Sequence, residues 1–295
     1  MKFSRIMLGT VQFGLKYGIN NSTGQPSPDT VRRILRVAAD GGINVLDTAR
    51  NYGDSEEVLG MALKAEGLEK EFYIISKVKL FPENITEQEV PAWITASVTQ
   101  SLRYLKRDKL DGLLLHHEKD LPFYDYMNMA LENNWSHAVG ASLDSVAGSP
   151  AEYTNKLLMA QVPGNILDRR FFETARRIKA RGGKVFCRSV YLQGLLFKNP
   201  ADLQEKFAPL LDVRRKLEKL SAEAGIPPAE LYFRFLLSQD MFDCILSGVD
   251  TVEQMQENIR IAQKGALSSD LLEAIEKIDP ALPEKYVRPS SWSSL

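Results

Sequence analysis

The chain has 295 residues, 44% hydrophobic and 25% charged, a composition that suits a globular protein with a large core. Its formal net charge of −1, with Lys and Arg scattered, argues against nucleic acid or an anionic membrane as a main partner. No apolar run approaches the ~20 residues of a membrane span, Met1–Leu8 carries no signal-peptide pattern, and Cys187 and Cys244 read as buried thiols, so a cytoplasmic location is expected.

Arg5–Thr10 reads as a first strand, followed by a Gly-rich turn, Gly9–Gly14, that is neither a P-loop nor a Rossmann turn. Ser27, Pro28 and Asp29 open a helix whose Val31, Ile34, Leu35 and Ala38 share one face, and Gly41–Gly42 end it. Ile43–Leu46 is a short apolar run, read as a strand buried on both faces and ending in Asp47. Tyr52 follows in a turn closed by Gly53, and Asp54 or Ser55 can cap the next helix. Glu56–Glu57 reads as an acidic first turn of that helix.

The alternation continues with a strand over Phe72–Ser76 ending at Lys77, a helix from Thr86 to about Lys106, and a strand over Leu110–Leu115 ending at His116 and His117. Then come a helix over Leu121–Asn133, a strand over Ala138–Ala141 ending at Ser142, a short helix over Pro150–Leu158, and a strand over Met159–Val162. Arg169–Ala180 reads as a helix and Lys184–Cys187 as a strand ending at Arg188–Ser189. After a looser connection, Gln193–Asp202, helices are expected over Leu203–Ala224 and Pro228–Ser238, then a last strand, Cys244–Ser247. Helices over Thr251–Gln263 and near Ser268–Ile278 precede a polar tail, Pro280–Leu295. Eight strands alternating with helices, with no linker between them, predict one α/β domain over 1–295: a (β/α)8 TIM barrel of parallel strands, with an open doubly wound sheet as the rival.

In such a barrel the strand C-terminal ends share one rim, which brings Asp47, Tyr52, Lys77 and His116 onto one arc. Each has a bland alternative as a turn former, packing ring, solvated cation or core histidine, but four such residues on adjacent strand ends are better read together. A cation beside a phenol lowers its pKa, Asp47 can hold Lys77 charged and in place, and His116 can orient a carbonyl oxygen toward Tyr52. Such a site protonates an oxygen as charge develops on it, which implies carbonyl reduction or its reverse and a hydride source. Three histidines without metal-ligand spacing leave no expected metal site.

These residues resemble the aldo-keto reductase superfamily. Leu8–Gly14 is similar to its opening motif, Asn44–Leu59 to its signature, Ser76–Lys77 to its lysine strand, and Asp111–His116 to the strand ending in its histidine. The resemblance implies an extended NAD(P)H, with Tyr52 as general acid assisted by Asp47, Lys77 and His116. It implies cofactor contacts from Gly9 and Thr10, carboxamide ligands at Ser142 and Gln161, and a pyrophosphate loop at Ser189, Tyr191, Gln193 and Gly194. Gly248, Asp250, Gln254, Glu257 and Asn258 would hold the adenosine end. The chain departs from the family at Leu143, where Asn is usual, and at Arg188, where many members place an aromatic ring under the nicotinamide. The basic positions of NADPH-preferring members fall here on Gly248, Asp250 and Gln254, none cationic, and Asp250 suits ribose hydroxyls, so NADH is expected with NADPH not excluded. Tyr17, Lys79, His117 and Trp292 stand in rim segments expected to line the substrate mouth.

Three functions follow as expectations: a reductase of aldehydes, ketones or sugar carbonyls; a sugar or alcohol dehydrogenase with the same residues; and a cofactor-binding regulatory subunit. The expected partner is a small carbonyl or alcohol.

Overall fold

The computed structural model describes residues 1–18, 21, 24–199, 201, 203, 207–278 and 282–294. Eight strands close a parallel barrel in chain order: β1 Ile6–Gly9, β2 Val45–Asp47, β3 Tyr73–Lys77, β4 Gly112–Leu115, β5 Val139–Ser142, β6 Met159–Pro163, β7 Lys184–Arg188 and β8 Cys244–Gly248. The ring closes where β1 pairs with β8, with Gly9 opposite Gly248. The (β/α)8 expectation holds, and the open sheet is excluded because a closed ring has no edge strands.

Around the barrel run α1 Val11–Gly14, α2 Pro28–Asp40, α3 Ser55–Glu66, α4 Val90–Leu105, α5 Asn128–Glu132, α6 Ala151–Thr154, α7 Phe172–Ala180, α8 Ala208–Glu223, α9 Pro228–Leu237, α10 Val252–Gln263, α11 Ser269–Glu276 and α12 Glu284–Val287. In α2 the Ser27 hydroxyl accepts the Thr30 N–H at 3.1 Å, Pro28 starts the first turn, and Val31, Ile34, Leu35 and Ala38 are buried. Burying each larger side chain contributes roughly 1.5–3 kcal/mol. Ser55, by contrast, is no cap. Its hydroxyl donates to the Thr10 carbonyl at 2.8 Å and bonds the Thr10 and Thr48 hydroxyls, stitching the ends of β1 and β2 together.

Strand alternation divides the core in two. Met7, Val45, Ile75, Leu114, Met159, Phe186 and Cys244 cluster apart from the larger apolar layer that contains their strand neighbours Leu8, Leu46, Ile74, Leu113, Ala160, Val185 and Ile245. With a period of two along each strand, the first set fills the barrel and the second faces the helices. Phe3 packs edge-on against Tyr73 and Phe186 at 5.3 and 5.5 Å, and the Arg5 guanidinium donates to the Leu237 carbonyl at 2.7 Å. These contacts plug the N-terminal end. The next inward positions, Asp47, Lys77, Gln161 and Arg188, are polar and lie toward the opposite rim.

Several local expectations change. Leu121–Asn133 is not one α-helix: Glu118–Met127 is 3-10, with Pro122 inside it, and only Asn128–Glu132 is α-helical. Proline lacks the N–H an α-helix requires there. The connection after β7 is ordered as a 3-10 segment, Leu192–Phe197, with left-handed backbone at Gln193 and Gly194. The expected helix over Leu203–Ala224 is observed as α8, while Asp202 and residues 204–206 lie outside the described residues. The tail forms α12 and a 3-10 segment, Pro289–Ser294, with Val287 buried; Pro280, Ala281 and Leu295 are outside the described residues. Cys187 and Cys244 are buried and unpaired, and burial pushes both thiols up. Among the described residues, no helix is long and apolar enough to cross a membrane.

Candidate active site

Asp47 ends β2 and Lys77 ends β3, both facing inward and both buried. The Lys77 ammonium donates to Asp47 Oδ1 at 2.5 Å, to the Thr48 carbonyl at 3.1 Å and to the Tyr52 hydroxyl at 3.1 Å. Gln161, from β6, adds a bond across the barrel, its amide donating to the same Asp47 oxygen at 2.7 Å. His116 follows β4 and meets Tyr52 edge to face, with centroids 5.5 Å apart and planes at 86°. The four rim residues therefore form one contiguous group.

Tyr52 is held by a close backbone approach. A Cβ at Gly14 would lie 1.9 Å from the Tyr52 carbonyl oxygen, and one at Gly53 would lie 2.3 Å from the Gly14 carbonyl oxygen, with Gly53 at φ +55°. Only glycines let α1 and the Tyr52 turn touch. Glu56, in the first turn of α3, is more than a favourable end charge. It is fully buried, pairs with Arg50 at 2.6 Å and accepts the Ser76 hydroxyl at 2.6 Å, tying the Tyr52 turn to β3.

Burial raises the Tyr52 phenol above its ordinary value and outweighs the opposing pull of Lys77, with Asp47 adding to the rise. The expected lowering by a neighbouring cation is thus present but smaller than the cost of burying a phenolate. For Lys77, burial disfavours the ammonium, yet Asp47 and Tyr52 together hold its pKa above the ordinary value. His116 is pushed down to about 3 by burial and by the nearby charges of Lys77, Arg188 and His117, so its imidazole is neutral. Its Nδ1 is buried and has no hydrogen-bond partner among the described residues. The site thus holds a protonated phenol, an ammonium and a neutral imidazole.

From this group a cleft of about 740 Å³ runs along the rim toward β8 and α10. Gly9, Asp47, Tyr52, Gln161, Arg188, Ser189, Tyr191, Gln193, Gly194, Gly248, Asp250, Gln254, Glu257 and Asn258 all line it, and so does Tyr17. Thr10 and Ser142 are buried off its wall, Thr10 donating to the Asp47 carbonyl at 2.8 Å. Lys79, His117 and Trp292 are also off the wall. Lys79 is exposed with its ammonium 5.6 Å from the Trp93 ring centroid, His117 accepts the Lys119 N–H at 3.2 Å, and Trp292 donates to the Tyr286 carbonyl at 3.1 Å.

Other residues at the site carried weaker signals. Gln12, in the Gly-rich turn, lines the cleft with a buried Oε1 that lacks a hydrogen-bond partner among the described residues. Arg188 is bonded to Asp144 at 2.8 Å, and Asp144 to Arg288 of the tail at 2.7 Å. Asp144 stands two residues past Ser142, so its place on the rim was readable, but nothing local to Arg288 points there. Among the described residues, no three His, Cys, Asp or Glu side chains are grouped to hold a metal ion.

Fold and site define a parallel (β/α)8 enzyme barrel with its charged side chains at the strand C-terminal ends, the rim where such barrels carry out chemistry. The sequence model of the aldo/keto reductase family matches residues 5–280, and the chain belongs to that family of NAD(P)H-dependent oxidoreductases. It is similar to the oxidoreductase YqkF of Bacillus subtilis, with 25% identity over 82% of this chain and 85% of the relative. It is also similar to an Arabidopsis thaliana protein described as a probable voltage-gated potassium channel subunit beta, 23% identical over 98% of this chain and 97% of that one. Among solved structures, the aldo-keto reductase AKR11C1 of Bacillus halodurans, in its holo form, matches with a TM-score of 0.77 and 24% identity over 97% of this chain and 95% of the other, a likeness of fold.

Proposed function

We propose that the protein reduces an aldehyde, ketone or sugar carbonyl with NAD(P)H, and that Tyr52 gives the proton. The hydrogen-bonded trio Asp47–Lys77–Tyr52 carries this reading. Bound in the cleft, the reduced dinucleotide would supply the hydride. Tyr52 is protonated before reaction, and Lys77 beside it favours the phenolate left after proton transfer. Asp47 and Gln161 fix the ammonium, so its charge is in place before oxyanion character develops. Neutral His116, edge-on to Tyr52, would bond the carbonyl oxygen without protonating it first.

The cleft suits an extended dinucleotide. Its volume is within the ~300–1,000 Å³ of small-molecule sites. At its middle, Gly9 and Gly248 face each other in register, and a Cβ at Gly248 would stand 2.5 Å from the Gln12 amide. The bare backbone there and the unpartnered Gln12 Oε1 offer an approach for a ribose hydroxyl. Asp250 favours NADH over NADPH: Asn21 donates to its carboxylate at 3.0 Å, and Glu253 and Glu257 share its wall. Among the described residues lining that end, no Lys or Arg is available for a 2′-phosphate.

A second reading is supported by the likeness to the potassium channel subunit: a cofactor-binding regulatory protein on the same barrel. A panel of aldehydes, ketones and sugar alcohols, assayed in both directions with each cofactor, separates the readings. Turnover with a kcat/KM favouring NADH is expected, and an Asp250→Arg variant should move preference toward NADPH by roughly 1–3 kcal/mol. A tenfold wild-type preference for NADPH would sink the cofactor assignment. Tight cofactor binding with no turnover across the panel would favour the regulatory reading.

A further inference from the structure

Arg188 ends β7 on the same stretch of wall as Asp47, Tyr52 and Gln161. Its charge is felt at both the Tyr52 phenol and the His116 imidazole. If Tyr52 gives the proton, a bound dinucleotide would have to present its redox ring near it, at this end of the cleft. That ring is cationic when oxidised and neutral when reduced. A bare guanidinium here would penalise one form and not the other.

The guanidinium is not bare. Its Nη2 donates to Asp144 Oδ1 at 2.8 Å and to the Leu143 carbonyl at 3.0 Å, and Nη1 donates to the Ser189 hydroxyl at 3.1 Å. The second oxygen of Asp144 accepts from Arg288 Nε at 2.7 Å and from the Ser290 hydroxyl at 2.9 Å. The Asp144 backbone N–H donates to Glu118 at 2.9 Å. Arg288 has its own counter-charges, Glu118 at 3.5 Å and Glu284 at 3.6 Å. Asp144 is therefore pinned from the tail side, with one oxygen committed to Arg188.

Resting on the functional reading above, we propose that Asp144 is the counter-ion of Arg188 and that this pair sets the relative affinity of the site for oxidised and reduced nicotinamide. The pair is mostly withdrawn from solvent, with Asp144 14% and Arg188 23% exposed at the side chain. Screening is weak there, so one uncompensated charge acts over several ångströms. Contacts to the adenosine and diphosphate parts are the same for both cofactor forms and cancel in the ratio of their dissociation constants.

The test is calorimetric titration of the full chain with NAD+ and with NADH. Asp144→Asn keeps the shape and a hydrogen-bond acceptor but removes the charge, and should raise Kd(NAD+)/Kd(NADH) about tenfold. Arg188→Gln, which removes the positive charge from the cleft wall and leaves Asp144 paired with Arg288 alone, should lower the ratio and reads the same pair if the first variant fails to fold. The double variant should return toward the wild-type ratio. A purely structural Asp144 would weaken both forms equally and leave the ratio unmoved, which overturns the proposal. Wild-type protein that binds neither form overturns it as well, and takes the cofactor reading with it.

Discussion

Lys77 shows how one residue's bonding capacity constrains the chemistry. An ammonium has three N–H donors, and here they reach a carboxylate, a backbone carbonyl and a phenol. The phenol is the one partner free to change its protonation in a reaction. Tyr52→Phe removes only that hydroxyl, so kcat should fall ~10²–10⁴-fold while the urea midpoint stays near wild type. Lys77→Met should also lower kcat, but with a second consequence. It leaves Asp47 buried with Gln161 as its remaining side-chain donor, and breaking a buried pair in this way costs about 3–5 kcal/mol. A Lys77→Met protein as stable as wild type would mean that the Asp47–Lys77 pair does not contribute to the stability of the fold.

At the scale of elements, the site depends on how closely loops approach one another. Gly14 and Gly67 make a useful contrast. A Cβ at Gly14 collides with the Tyr52 turn, whereas at Gly67, the left-handed end of α3, it meets nothing within 4 Å. Gly14→Ala should therefore cost ~1–3 kcal/mol in overpacking and reduce kcat by displacing Tyr52. Gly67→Ala should cost stability through backbone strain and leave kcat/KM unchanged. Equal kinetics in the two variants would separate the Gly14 contact from catalysis. The loop after β7 is another element under constraint, with left-handed Ser189, Leu192 and Gln193 on or beside the cleft wall. Non-glycine residues adopt that backbone only where surroundings enforce it.

For the molecule as a whole, two buried groups pull stability in opposite directions with pH. His116 titrates at about 3 in the fold, below its ordinary 6.5, so the unfolded chain takes up that proton first. Its contribution declines as pH falls below about 6.5. Burial raises Asp120 to about 6 from its ordinary 3.8, so the native state holds that proton longer. Its contribution is full below about 3.8 and is lost as pH rises through about 6. Between those limits the two partly cancel. Urea midpoints for Asp120→Asn should therefore fall more steeply than wild type as the buffer is taken from about pH 6 to about pH 4. A shallower fall would show that Asp120 is not the opposing group.

The sequence by itself determined the strand count, the order of strands and helices, and the rim positions of Asp47, Lys77 and His116. Each is a local property: a short apolar run, a polar residue at its end, a glycine or capped helix after it. It also placed Tyr52 beside them, because five residues of turn cannot carry a side chain far from the strand end. The tertiary structure decided what those residues meet. Glu56 became the buried partner of Arg50 and Ser76, and Lys79, His117 and Trp292 came to rest off the cleft wall. Arg188 found Asp144, and Asp144 found Arg288 across 144 residues of chain. The direction of the Tyr52 shift was also decided there, because it is a balance between burial and a neighbouring cation. Sequence spacing reveals which groups are near along the chain; burial and cross-rim pairing arise only when the barrel closes and the side chains compete for the same enclosed volume.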